Sequence, residues 1–261
     1  MKKLRLLPLL LLVLSPWTPI SGNPRKDDKG PTPDQIIQRF SAKESEFQRE
    51  WQNYTYTQKV IFEVLNDAGI AVEHQRMTIE VLFDTSGKRS TRIVEEQGRL
   101  RSVQVTEQDM HDIVELQPFV LTEEELPKYE IRYKGEEWVD EINTFVFDVK
   151  PKKVRKSDRA FEGRIWVDDL DFQIVRTKGK IVPDLGDNKF PEFETIRQQV
   201  DGEFWFPVWI KGDDRLTFGG FWDRRTVHVR QWVTFENFQR FDVGTTIRFG
   251  EVQPDPEQPR N

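Results

Sequence analysis

Three histidines, His74, His111 and His228, are the side chains best suited to hold a transition metal or to move a proton near neutral pH. They are scattered, with neither the His-x-His nor the His-Glu-x-x-His spacing that aims two imidazoles at one ion. The chain has no cysteine, which removes thiolate ligands, a cysteine nucleophile, disulfides and the acylated cysteine of a bacterial lipoprotein anchor. Asp168, Asp169 and Asp171 gather carboxylates of the kind hard cations take. That segment lacks the glycine and the distant glutamate of a calcium-binding loop, and aspartate is also a residue of turns. No phosphate loop, dinucleotide fingerprint or nucleophile elbow is present. The expectation is a non-enzyme: no catalytic residues, no metal ligands and no cofactor.

What remains is surface and hydrocarbon chemistry. The run Lys150-Pro-Lys-Lys-Val-Arg-Lys-Ser-Asp-Arg159 is the one dense basic patch. It reads either as a solvated loop or as a contact for anionic headgroups or an acidic partner, with membrane association peripheral at most. Overall, 39 basic side chains face 45 acidic ones for a net charge of −6, which argues against nucleic acid as a partner. Charged residues make up 32% and hydrophobic ones 36%, pointing to a thin core with one wet layer. Yet 19 Phe, 8 Trp and 4 Tyr are too many for a disordered chain.

The elements that must position these groups follow from periodicity. Residues 1–22 begin Met-Lys-Lys-Leu-Arg and continue into a short leucine-rich run, the pattern of a secretory signal peptide and too short for a membrane span. Residues 23–31 form a polar linker, and the prolyl-rich residues 251–261 form a disordered tail. Thr32-Pro33-Asp34-Gln35 opens a helix on which Ile36, Phe40, Phe47 and Trp51 make one apolar stripe. From Asn53 the period falls to two. Tyr54, Tyr56, Val60, Phe62 and Val64 share one face of a strand, and Met77, Ile79, Val81 and Phe83 share one face of the next after a turn at Asn66–Gly69.

Further turns are expected at Ser86-Gly87, Gln97-Gly98, Lys134-Gly135 and Asp201-Gly202. Thr106–Leu126 reads as one or two short helices, with capping oxygens at Thr106 and Thr122. The remainder is strand: 144–150, 161–167, 172–182, 193–200, 204–212 and 225–235. Short turns and an unbroken composition favour one domain over 32–250, mainly β with a few helices (α+β), built on a single antiparallel sheet.

Phe161-Glu-Gly-Arg-Ile-Trp-Val-Asp-Asp-Leu-Asp-Phe-Gln-Ile-Val-Arg176 resembles the strand, turn and return strand of the periplasmic lipoprotein carriers and outer-membrane lipoprotein-sorting proteins, the LolA-like superfamily. Arg164, Trp166 and Asp168 carry the match. A second segment, Gly202–Ile210, is similar to that family's phenylalanine-proline strand entry through Phe206 and Pro207. The resemblance implies an open, curved half-barrel with helices over its concave face, in which acyl chains are shielded. The missing lipobox cysteine sets the chain apart from the acylated receptor member, and with the signal-peptide pattern the expectation is an exported, periplasmic monomer that is not lipid-anchored. Tyr54, Tyr56, Phe62, Met77, Ile79 and Phe83 are then candidates for a hydrophobic cavity, the alternative being an ordinary core beneath the first helix. The expected function is non-enzymatic binding of a lipid or lipoprotein acyl chain. The alternative is an envelope sensor or scaffold that binds a protein segment through the same fold.

Overall fold

The computed structural model describes residues 30–241, apart from 85–86, 156–158, 185–188, 190, 201, 203 and 221. The expected signal peptide, most of the linker, residues 242–250 and the tail lie outside the described residues. Helix α1 runs Pro33–Trp51, with proline in its first turn, Asp34 near its N-terminus and Arg49 in its last turn, as backbone geometry and the helix dipole favour. Its buried side includes Ile36, Phe40, Phe47 and Trp51.

Three strands follow as a meander: β1 Tyr54–Leu65, β2 Ala71–Phe83 and β3 Arg89–Gly98. Residues 99–128 then leave the sheet, carrying helix α2 (Glu107–His111), a π-helical turn (Asp112–Leu116) and a 3₁₀ turn (Leu126–Lys128). The chain returns as seven more strands: β4 Tyr129–Val139, β5 Ile142–Pro151, β6 Ala160–Asp168, β7 Ile174–Val182, β8 Phe193–Val200, β9 Phe204–Phe218 and β10 Arg225–Arg240.

All ten strands form one antiparallel sheet in the order β3-β2-β1-β10-β9-β8-β7-β6-β5-β4. β3 and β4 are its two edges and do not meet, so the sheet is open. It is also curved. Six strand spacings separate β1 from β5, about 29 Å across a flat sheet. Yet α1 touches both: Trp51 lies 4.6 Å from Tyr56 of β1 and Phe40 lies 5.7 Å from Phe147 of β5, ring centroid to centroid. Those two helix positions are only about 16 Å apart along the axis. The sheet therefore wraps around the helix. Register shifts in six of the nine pairings supply bends of the kind β-bulges introduce.

One large core fills the concave side, drawing on α1, residues 100–121 and nearly every strand. A small second cluster, Val146, Trp166 and Val175, sits apart from it. No helix among the described residues is long and apolar enough to cross a membrane.

Three local expectations are corrected. Lys134-Gly135 is no turn; it lies inside β4, where Gly135 at φ 117° takes up a register shift against β5, and the chain reverses at Asp140, φ 52°. Thr122 starts no helix: its hydroxyl accepts from Glu125 N at 3.3 Å and closes a single turn before the Leu126–Lys128 3₁₀ turn. β7 begins at Ile174 and not at 172, because Phe172 at φ 60° still belongs to the turn.

Candidate functional site

The concave face is aromatic because the inward positions of β1, β5, β9 and β10 carry rings, and the stripe of α1 lies among them. Phe47 and Trp51 lie 5.5 and 5.4 Å from Phe206, and Tyr54 meets the same ring edge-on at 4.7 Å. Of the six cavity candidates, Tyr54, Tyr56, Phe62, Met77 and Ile79 are buried in this core. Phe83 is half-buried and stacks on Phe241 at 4.4 Å. Space beside them is small. Phe62 lines a cavity of about 40 Å³ with Leu100, Val103, Leu216, Phe218 and Val229. Ligand pockets occupy about 300–1,000 Å³, so this arrangement is a closed one.

What closes it is α1 together with residues 100–126, the cover. Thr106 starts α2 through a full capping box, its hydroxyl accepting from Asp109 N while Asp109 accepts from Thr106 N. Ile113, Phe119 and Leu121 point into the core, and Phe119 stacks on Phe161 at 4.5 Å. Phe161 in turn covers Gly163 and Gly179, which face each other across β6 and β7. A Cβ on Gly163 would stand 2.3 Å from Lys178 O, and one on Gly179 2.3 Å from Glu162 O, so only glycine allows the strands this close.

Under the cover the contacts are polar, and charge reasoning from sequence missed them. Arg197 of β8, its side chain 1% exposed, donates to both carboxylate oxygens of Glu44 on α1, at 2.7 and 3.1 Å, and also to the carbonyl of Phe119. Glu44 Oε2 accepts from Leu121 N at 3.4 Å. Gln117 and Gln231 exchange side-chain amide bonds of 2.6 and 3.3 Å, and Thr195 Oγ1 donates to Gln117 O at 3.0 Å. Arg159 pairs with Asp112 in the π-helical turn. Burial raises the carboxyls of Asp109 and Asp112 above the usual aspartate range. A periodicity signal for the central pair did exist. Glu44 falls on the α1 stripe between Phe40 and Phe47, and Arg197 alternates inward with Phe193 and Thr195.

Of the motif residues, Phe206 belongs to this aromatic core, while Arg164, Trp166 and Asp168 lie elsewhere. Arg164 Nε donates to Asp148 Oδ1 at 2.9 Å, Trp166 Nε1 to Glu137 Oε2 at 2.9 Å, and the Arg176 guanidinium lies 4.6 Å from the Trp166 ring centroid. Asp168 accepts the backbone N–H groups of Leu170 and Asp171 at 2.6 and 3.0 Å, an aspartate-capped turn. Phe206 and Pro207 are buried in β9, beside the register shift against β8. Asp169 and Asp171 accept from Asn143 and from the Trp205 indole. His228 pairs with Asp213 at 2.6 Å. Among the described residues no group of three or more His, Asp or Glu could hold a metal ion. Part of the basic patch is used internally, since Lys150 pairs with Glu162, Lys152 donates to Pro127 O and Arg159 turns inward.

No family model matches the chain, and no curated protein matches it by sequence. Solved structures do. The chain is similar to a DUF1329 family protein from Desulfovibrio piger, with 13% identity, 83% of this chain and 96% of that chain covered, and a TM-score of 0.44. It is also similar to a LolA superfamily protein from Nitrosomonas europaea, at 10% identity, 82% and 96% coverage and a TM-score of 0.39. A third is an outer membrane lipoprotein-sorting protein domain from Vibrio parahaemolyticus, at 10% identity, 78% and 93% coverage and a TM-score of 0.35. At such identities no residue's role is carried across.

Proposed function

We propose that this protein is an exported, periplasmic, non-enzymatic carrier that binds the acyl chain of a lipid or lipoprotein against its concave face. One observation carries the reading: an apolar, aromatic face is roofed by a segment that buries polar attachments beside the apolar side chains of Ile113, Phe119 and Leu121. Gln117, the Phe119 carbonyl and the Leu121 amide meet Gln231, Arg197 and Glu44, and every one of these groups can trade its partner for water when the cover lifts. The face left behind would be Phe62, Val60, Met77, Val229 and their neighbours, and burying a chain there gains about 0.8 kcal/mol per methylene.

The test is direct. The mature chain is purified, its co-purifying lipid identified by mass spectrometry, and the delipidated protein titrated with a fluorescent fatty acid. Binding in the micromolar range supports the carrier; a folded, delipidated sample that binds no acyl probe at high micromolar concentration refutes it. The alternative of a sensor or scaffold draws on the edge strand β3, which is exposed along nearly its whole length, with Ile93 and Val94 open to solvent. Such an edge accepts a partner strand. Pull-down from envelope extract of a stoichiometric protein without lipid favours that reading.

A further inference from the structure

Between the C-terminal half of α1 and residues 114–120 of the cover lies a cleft of about 300 Å³. Phe47, Trp51, Phe119 and Phe161 form its walls, and Arg89 and Glu115 also line it. This volume reaches the lower end of what small-molecule pockets occupy, about 300 Å³. Arg89, the first residue of β3, is held against aromatic faces. Its Nη2 donates to the Tyr56 hydroxyl at 2.9 Å, and its guanidinium lies 5.4 Å from the Tyr56 ring centroid and 5.9 Å from that of Trp51. The Nε is buried and donates to nothing. Arg159 lines the same cleft and is paired with Asp112, and Arg197 nearby in the core is paired with Glu44. Among the described residues no carboxylate comes within ion-pair range of Arg89. Burial also pushes the Tyr56 hydroxyl well above the ordinary tyrosine range, so it stays neutral and brings no negative charge of its own to the guanidinium.

A guanidinium held against aromatic faces with no ion-pair partner, lining a cleft with aromatic walls, suits an anion attached to hydrocarbon. We propose that Arg89 binds the anionic end of an amphiphile, a fatty-acid carboxylate or the phosphate of a monoacyl phospholipid, whose chain runs along the aromatic walls of this cleft. This rests on the acyl-binding reading and adds the polar end of the ligand. Phe119 and Phe161 belong to both the cleft and the core, so a chain anchored at Arg89 leads under the cover. Two carboxylates also line the cleft: Glu125 is paired with Lys128, and the exposed Glu115 opposes the same anion.

The experiment compares three ligands of equal chain length on the delipidated mature protein: a fatty acid, a monoacyl phosphatidylglycerol and an uncharged monoacylglycerol. At least one anion is expected to bind about tenfold more tightly than the neutral ligand, the scale of one charge-assisted hydrogen bond. Arg89→Gln brings that anion down to the neutral ligand's affinity, and Glu115→Gln improves it about threefold relative to the neutral ligand. Whichever anion shows the preference identifies the head group. Equal affinities in the wild type, or a preference that survives Arg89→Gln, overturns the proposal while leaving acyl binding intact. If Arg89→Gln fails to fold, Glu115→Gln decides, and an unchanged anion-to-neutral ratio overturns it. Binding of none of the three refutes the acyl-binding reading and this proposal with it.

Discussion

Glu44→Leu leaves the Arg197 guanidinium inside the protein, its side chain 1% exposed, with the Phe47 ring at 4.6 Å and the Phe119 carbonyl as its remaining company. Deleting one partner of a buried ion pair costs about 3–5 kcal/mol, because the other charge stays desolvated and unpaired. Replacing both partners by apolar side chains is close to neutral for the pair itself. Here it also strips partners from two backbone groups, Phe119 O and Leu121 N, at about 1–3 kcal/mol each where they remain buried. Glu44→Leu/Arg197→Met should therefore cost about 2–6 kcal/mol, below the roughly 6–10 kcal/mol sum of two single variants that each lose 3–5 kcal/mol. The coupling shows as a non-additivity of several kcal/mol. Urea unfolding followed by tryptophan fluorescence gives the global values. Amide hydrogen exchange at 119–121 shows whether the loss in the double variant is confined to the cover. Additive single variants, or a Glu44→Leu cost below about 1 kcal/mol, would mean that the pair is solvated in solution and that the cover is not fastened by it.

Gly179→Ala forces a methyl to within 2.3 Å of Glu162 O and 2.7 Å of Gly163 Cα, so β6 and β7 must part. A loss of more than about 2 kcal/mol in urea is expected, and a neutral substitution would refute the close approach. Asp109 is raised by burial in the folded state, so its proton favours folding below about pH 4 and that contribution disappears as pH climbs through the raised value. The stability gap between wild type and Asp109→Asn should narrow or change sign over that window, measured as urea midpoints across a pH series; a gap constant with pH is the contrary result. With no native cysteine to interfere, Ser45→Cys/Glu123→Cys tests the cover directly, since Ser45 Oγ accepts from Glu123 N at 3.1 Å. The oxidised tether should weaken binding of a fatty-acid probe at least tenfold and reduction should restore it. Equal binding in both redox states would show that the cover does not move.

Periods of 3.6 and 2 located α1 and the strands because each has one dry face, and burial on one side leaves its mark on every second or third residue. The same marks placed Glu44 and Arg197 inside, but a charge within an apolar stripe reads as solvent-facing unless its partner, far away in sequence, is known. Gly135 shows a different limit: a glycine with positive φ serves a bulge as readily as a turn, and local composition does not separate the two. At Thr122 the capping oxygen is real, yet Pro127 and the strand that follows leave no room for a helix. Whether Tyr54, Tyr56 and Phe62 line a void or a filled core depends on residues 100–126. No local pattern says where that stretch lies.

The sheet order carries a mechanical consequence. The chain leaves the sheet at β3, one edge, and re-enters at β4, the other, so residues 99–128 are fixed at both ends to opposite lips of the same trough. A segment held this way has no free end to swing. It is a strap and not a flap: raising it to admit a guest would pull on both lips at once, and through them on the bend of the sheet. Cargo would then be felt throughout the molecule as a change of width. A pair of dyes on β3 and β4 would read loading as a distance, far from any bound chain.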